Sequence, residues 1–167
     1  MENQLSSRDY IIESYFLLLK NKKNENISIQ EICNKAGVSR VTFYRNFSDK
    51  LEIINAYFMT MIKKFVKDMG VVNSNYRDIA YHTFSVLRQE KDNIKALIDN
   101  NLEYLYSNLL NTYMTRNIVN EYNGSEILAQ IYSGALYNLS IWWVKQDCKE
   151  DINTIINTFF KICNFNN

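Results

Sequence analysis

A chain of 167 residues with no proline and only four glycines has little means of making the tight, regularly spaced turns of an all-β fold. Its apolar residues recur instead at spacings of three and four, the period of a helix with one buried face. Tyr10, Ile11, Ser14, Tyr15, Leu18 and Leu19 share one side of a helix expected over 7–22, and Ile29, Ile32, Cys33 and Ala36 share one face of a short helix over 29–36. The same reading predicts a short helix over 40–47, a long one from 49 or 52 to 67 or 69, and further helices near 74–90, 93–100, 102–120, 125–146 and 149–164. The expected fold class is all-α, with about nine helices. Hydrophobic residues make up 47% of the chain, which supplies a core and excludes disorder. A chain near 150 residues can bury roughly 70% of its unfolded surface.

Local signals support these boundaries. Ser6 with Asp9, Ser28 with Glu31 and Asp49 with Glu52 have the spacing of capping boxes, in which two side chains satisfy free N–H groups at a helix start. Gly70 stands where a C-cap glycine belongs, and Asn123-Gly124-Ser125 marks a break between helices. That tripeptide also matches a glycosylation sequon, an accidental match without secretion.

The nineteen basic and eighteen acidic residues nearly cancel, but unevenly: residues 1–67 hold eleven Lys/Arg against seven Asp/Glu, and residues 68–167 hold eight against eleven. The front is mildly basic and the back mildly acidic. Lys20, Lys22 and Lys23, and Lys63, Lys64 and Lys67, read as solvated faces. Residues 1–9 have neither a basic stretch nor an apolar run, so no secretory signal is expected. Three scattered cysteines, Cys33, Cys148 and Cys163, read as reduced thiols in a cytoplasmic protein. Ile127 to Val144 carries no charge, but Gln130, Ser133, Asn138 and Ser140 make a buried helix a better account than a membrane span. His82, the only histidine, has no clustered acid or cysteine to share a metal. No nucleophile–base arrangement, phosphate loop or catalytic carboxylate pair stands out. Neither catalytic residues nor a cofactor is expected.

The chemistry concentrates between Ile27 and Leu51. Two short helices meet across a turn of Gly37, Val38 and Ser39, the spacing of a helix-turn-helix. Glycine suits the left-handed conformation that ends the first helix. Ile32, Val38, Phe43 and Phe47 would form a small core fixing the second helix, and Ser39 would cap it. The outward residues are then Arg40, Thr42, Tyr44, Arg45 and Asn46. Arginine and asparagine can make paired hydrogen bonds to guanine and adenine edges in the major groove, and a threonine methyl can meet a thymine methyl. Tyrosine and threonine hydroxyls suit phosphate oxygens, and Lys50 adds a point charge.

The order Ser28…Ala36-Gly37-Val38-Ser39-Arg40-Val41-Thr42-Phe43-Tyr44-Arg45-Asn46-Phe47-Ser48-Asp49-Lys50 resembles the DNA-binding domain of TetR-family transcriptional regulators over about residues 8–65. The resemblance implies a three-helix DNA-binding head at 1–50, bridged by a helix over 49–69 to a ligand-binding and dimerisation body at 51–167. It implies DNA contacts at Ser28, Gln30, Ser39, Arg40, Thr42, Tyr44, Arg45, Asn46 and Lys50. Relatives often carry a small residue or lysine after the serine, so Arg40 is expected to alter base preference. The first helix departs from the pattern in offering only Arg8 as basic support.

The second half resembles a compact subgroup with a small-residue run in the penultimate helix, here Ile131-Tyr132-Ser133-Gly134-Ala135-Leu136-Tyr137. A last helix pair that is apolar nearly all round needs cover on both sides, and a partner subunit is the natural cover. Ile131, Gly134, Ala135, Trp142, Ile152, Ile156, Phe159 and Phe160 are the expected dimerisation residues, and Tyr81, Phe84, Tyr106, Tyr113 and Tyr137 the expected lining of an effector pocket. The implied function is a dimeric regulator of a palindromic double-stranded operator, a ligand-responsive repressor. The alternative is a coactivator-type regulator whose C-terminal domain binds a partner protein instead of a small molecule.

Overall fold

The structure, a computed structural model, describes residues 5–69, 76–114 and 126–163, the side chains at 68, 69, 76, 113, 114, 128, 162 and 163 excepted. Its order is α1 (Ser7–Leu19), a 3-10 turn (Asn24–Asn26), α2 (Ile29–Ala36), α3 (Arg40–Asn46), α4 (Lys50–Met69), α5 (Tyr76–Gln89), α6 (Lys91–Asp99), α7 (Tyr104–Met114), α8 (Glu126–Lys145) and α9 (Ile152–Cys163). The described residues contain no strand, and the all-α expectation holds. Gly70 and Asn123–Ser125 lie outside the described residues.

The expected caps form at the head. Ser6 and Asp9 close a capping box on α1, and Ser28 and Glu31 close another on α2. At α4 the Asp49 Oδ1 accepts from the Glu52 amide at 2.9 Å, but the Glu52 carboxylate reaches back one residue further than expected, to the amide and hydroxyl of Ser48. The first helix stops at Leu19, three residues short of the expected end at 22, because Asn21 folds back to donate to the Leu17 carbonyl at 2.9 Å and the chain then turns to bury Ile27.

Among the described residues one core joins α1 to α9. Its link is α4, whose Tyr57 ring lies 4.3 Å from Phe16 of α1 and 5.5 Å from its neighbour Phe58. Phe58 stacks 5.8 Å from Tyr106 of α7, which lies 6.2 Å from Tyr137 of α8. Five aromatic rings therefore connect the first helix to the eighth. At the far end, Trp143 is fully buried, edge-on to Phe84 at 5.4 Å, and donates its indole N–H to the Glu150 carbonyl at 2.9 Å. A polar joint supplements the rings. Asn24 of the 3-10 turn accepts from the Tyr15 hydroxyl at 3.0 Å, and its amide donates to the Asn100 side chain at 2.7 Å. Lys23 donates to the Asp99 carbonyl at 2.6 Å.

Among the described residues no helix is long and apolar enough to cross a membrane. Cys33 and Cys148 are buried thiols, while the Cys163 side chain lies outside the described residues.

Candidate nucleic-acid interface

Helix α2 ends at Gly37, whose φ of +66° is the left-handed conformation that glycine adopts without steric cost. The chain returns through Val38, whose amide donates to the Cys33 carbonyl at 3.0 Å, and Ser39 then caps α3 by accepting from the Thr42 amide at 3.0 Å. Phe43 and Phe47 are buried with their rings 6.1 Å apart, and Ile32 is buried with them. Val38 is half-buried against the same core. This is the small core the sequence predicts, and it leaves the opposite side of α3 in water.

That outer side consists of Arg40, Val41, Tyr44 and Arg45, all exposed, with Val41 67% and Tyr44 50% accessible. The Arg40 guanidinium lies over the Tyr44 ring, 5.9 Å from its centroid. Thr42 and Asn46 sit further back. Both are half-buried, the Thr42 hydroxyl is 2.9 Å from that of Ser39, and the Asn46 amide donates to the Thr42 carbonyl at 2.8 Å. At 100° per residue, positions 41 and 45 oppose 43 and 47 and positions 44 and 46 fall on the two flanks, while Arg40 shares the stripe of 43 and 47 but is exposed as the first residue of the helix. The outward residues expected from the sequence omit Val41, which is 67% exposed on this side of the helix.

Ser28 and Gln30 are exposed at the start of α2. The Ser28 hydroxyl serves the cap, and Gln30 donates to Asn34 at 2.8 Å. Lys22 pairs with Glu31. That ammonium, together with the Ser28 amide and hydroxyl, holds the Glu31 carboxyl down at about 2.

Two basic residues take roles different from those expected. The Lys50 ammonium turns inward, donating to the carbonyl of Ile27 at 2.9 Å and to that of Asn24. The ammonium thereby clamps the start of α4 to the α1–α2 connection. The desolvation of this half-buried site pushes its pKa below the ordinary lysine value. Arg8 donates to the Asn46 carbonyl at 2.9 Å and lies 4.4 Å over the Phe47 ring, so it holds the end of α3 from α1. Arg8 meets one of the free carbonyls that end every helix, whereas the acceptors of Lys50 lie in the α1–α2 connection.

In the second half, a cavity of about 60 Å³ lies between α4, α5 and α7, walled by residues such as Met61, Phe65, Ile79, Val86 and Leu110. Among the described residues, Thr83 and Tyr106 supply its only side-chain hydroxyls, and no charged one lines it. The Thr83 hydroxyl donates to the Ile79 carbonyl at 2.8 Å, and burial pushes the Tyr106 phenol up to about 12. Of the expected pocket residues only Tyr106 reaches this cavity. Phe84 is spent on Trp143, Tyr81 is exposed beside His82, Tyr137 stands behind Tyr106, and the Tyr113 side chain lies outside the described residues.

Ile131 and Trp142 of α8 are 54% and 47% exposed, with half-buried Gly134 and Ala135 between them. Ala135, Leu139 and Trp142 face Ile155, Thr158 and Phe159 of α9 across an apolar surface groove of about 460 Å³. Ile152 and Ile156 do not reach this surface. They are 5% and 1% exposed, because α9 turns their face toward the chain's own core, and Phe160 packs beside Tyr132 at 6.5 Å. A Cβ built on Gly134 meets nothing within 4 Å, so no contact within the chain requires glycine there.

Among the described residues no cluster of His, Cys, Asp or Glu could hold a metal ion. Comparison with known proteins places this geometry. The fold is similar to that of the protein Lin0861 from Listeria innocua, with a TM-score of 0.78 at 13% identity, covering 99% of this chain and 96% of that one. It is also similar to the fatty acid degradation regulator FadR from Bacillus halodurans, with a TM-score of 0.63 at 18% identity and 96% coverage of both chains. The dihydroxyacetone kinase operon activator DhaS gives a TM-score of 0.61 at 16% identity, covering 93% of this chain and 97% of that one. At such identities these likenesses concern the fold alone. No curated protein matches the chain by sequence. The family model for bacterial regulatory proteins of the tetR family matches residues 24–57, and a model for a transcriptional regulator C-terminal region of that family matches residues 74–165. The chain belongs to the TetR family of transcriptional regulators and carries that family's DNA-binding helix-turn-helix.

Proposed function

We propose that this regulator acts as a cytoplasmic homodimer on a palindromic operator, as a repressor released by a small effector, with a reading head at 1–50 and a ligand-binding and dimerisation body at 51–167. The observation that carries the reading is the outer ridge of α3, where Arg40, Tyr44 and Arg45 offer hydrogen-bond donors that the fold's core does not consume. Ser28, Gln30 and Ser39 flank that ridge and supply phosphate contacts, while Thr42 and Asn46 support it. A second copy seated on the exposed α8 stripe would bury Ile131 and Trp142 in a four-helix bundle with α9. Two recognition helices would then stand about one helical turn of DNA apart, or somewhat more.

The effector that suits the cavity is small, neutral and apolar, since a charged group would find no counter-charge in its wall. Tyr106 lies in that wall and begins the row of rings leading through Phe58 and Tyr57 to Phe16, so a shift at the cavity has a packed route to α1. A coupling of roughly 1–3 kcal/mol weakens operator binding about 5–150-fold, enough for induction. One observation favours the partner-protein alternative: a cavity of about 60 Å³ is small beside ordinary ligand sites of roughly 300–1,000 Å³.

The test is selection of duplexes from a random pool at fixed salt, with sedimentation of the free protein and its complex. An enriched palindrome bound by two copies is expected, and Trp142→Glu is expected to yield monomers and weaken binding at least thirtyfold. A monomer at micromolar concentration, or no enriched duplex, overturns the reading. Thermal shift against uncharged apolar compounds, compared with co-purification, separates the two effector readings.

A further inference from the structure

We infer that Val41 is a specificity-determining residue of the recognition helix, reading the C5 methyl of one thymine in each half-site. The inference rests on the sequence-specific reading above and goes beyond its named contacts. Val41 is 67% exposed in the first turn of α3, the part of a recognition helix that meets base edges. Around the helix it stands between Tyr44 and Arg45, on the face that no described residue covers.

Its neighbours on that ridge all carry hydrogen-bond donors. Val41 has no polar atom, and the one apolar feature a base pair displays in the major groove is the thymine methyl. The Thr42 methyl, to which the sequence alone assigns this contact, belongs to a half-buried side chain whose hydroxyl lies 2.9 Å from that of Ser39. A β-branched valine in a helix keeps essentially one rotamer, so its two methyls are already placed when DNA arrives. Burying a methyl-sized apolar contact corresponds to about a fourfold change in affinity per half-site.

The experiment uses the full-length protein and the duplex it enriches from a random pool. Each thymine is replaced in turn by deoxyuridine, which removes only the methyl. Wild type is expected to bind about fourfold more weakly when one particular thymine per half-site is replaced, and about fifteenfold more weakly when both are. Val41→Ala is expected to lose sensitivity at that position alone, keep the other preferences and melt at the wild-type temperature. Val41→Ser is expected to behave in the same way. An enriched duplex at which wild type ignores every deoxyuridine, or at which Val41→Ala keeps the wild-type penalty, overturns the assignment while leaving sequence-specific binding intact. A pool that yields no enriched duplex overturns both.

Discussion

The helices of the head and those of the body end in different ways. Helices α1 to α4 begin on Ser6, Ser28, Ser39 and Asp49, each accepting a hydrogen bond from a first-turn amide, and α2 ends on Gly37 in the left-handed conformation. Helix α6 begins on Glu90 with no side-chain cap, and it ends with Asn101 at a φ of +55°. Helix α8 ends through Asp147 and Cys148, at +63° and +55°. These three residues adopt the conformation that glycine would take more cheaply. The head invests in local geometry because a reading surface works only if a few side chains point the same way on every molecule. In the body Asp151 caps α9 in the same manner, accepting from the Asn153 and Thr154 amides, but the ends of α6 and α8 stay strained and order comes mainly from buried bulk such as Trp143, Phe84 and Tyr106.

Shared packing sets the outer limit of that contrast. Trp143→Ala removes a fully buried indole and the shorter of two hydrogen bonds to the Glu150 carbonyl, leaving that from Arg88, and is expected to cost about 3–5 kcal/mol. Phe43→Ala is expected to cost a similar amount in the head. Because one core spans both regions, each variant is expected to lower a single calorimetric transition. Two resolved transitions, each sensitive to only one variant, would divide the molecule into independent halves.

Lys50 distinguishes the head's scaffold from its reading surface. Lys50→Met keeps the apolar stem but leaves two carbonyls without their ammonium, for an expected loss of about 1–3 kcal/mol. The dependence of DNA affinity on salt is expected to keep its wild-type slope. A slope shallower by about one unit per protomer would place Lys50 on a phosphate.

The helix ends make opposite predictions in the two regions. Nothing lies within 4 Å of a Cβ built on Gly37, so Gly37→Ala is penalised by backbone conformation alone, by about 1 kcal/mol. Asn101→Gly relieves the same strain at the end of α6 and is expected to stabilise by about 0.5–1 kcal/mol. Denaturant titration checks both signs, and equal signs would erase the distinction between designed and tolerated ends.

How much of this was legible follows from the same contrast. Caps, turn and recognition helix depend on residues within four positions of one another, so Ser28, Glu31, Gly37 and Ser39 could be read directly from the sequence. Lys50 and Arg8 could not, since their partners stand twenty-three and thirty-eight residues away and are backbone carbonyls with no side-chain signature. Helix α9 was misread in part for a related reason. A helix with apolar residues on several faces does not declare which face its own chain will cover, and Ile152 and Ile156 turned inward while Ile131 and Trp142 of α8 stayed exposed. Of the pocket aromatics Tyr106 reaches the cavity while Phe84 packs on Trp143, because aromatic rings serve a core as readily as a ligand.

The smallest expected effect tests whether a head cap still matters when it is wholly in water. Lys22 and Ser28 hold the Glu31 carboxyl at about 2, below its ordinary value of 4.5. A carboxylate depressed in the folded state contributes stability that is present above its unfolded value and is lost as pH falls through the folded one. The contribution of Glu31 is therefore intact above about pH 5 and disappears as the pH approaches 2. Glu31→Gln keeps a side chain able to complete the capping box but removes the charge that faces Lys22 and the helix N-terminus. The variant is expected to melt slightly below wild type at pH 7, with the difference narrowing as pH falls from 5 to 2. If the difference stays constant through that window, the carboxylate's charge contributes nothing, and the cap acts through hydrogen-bond geometry alone.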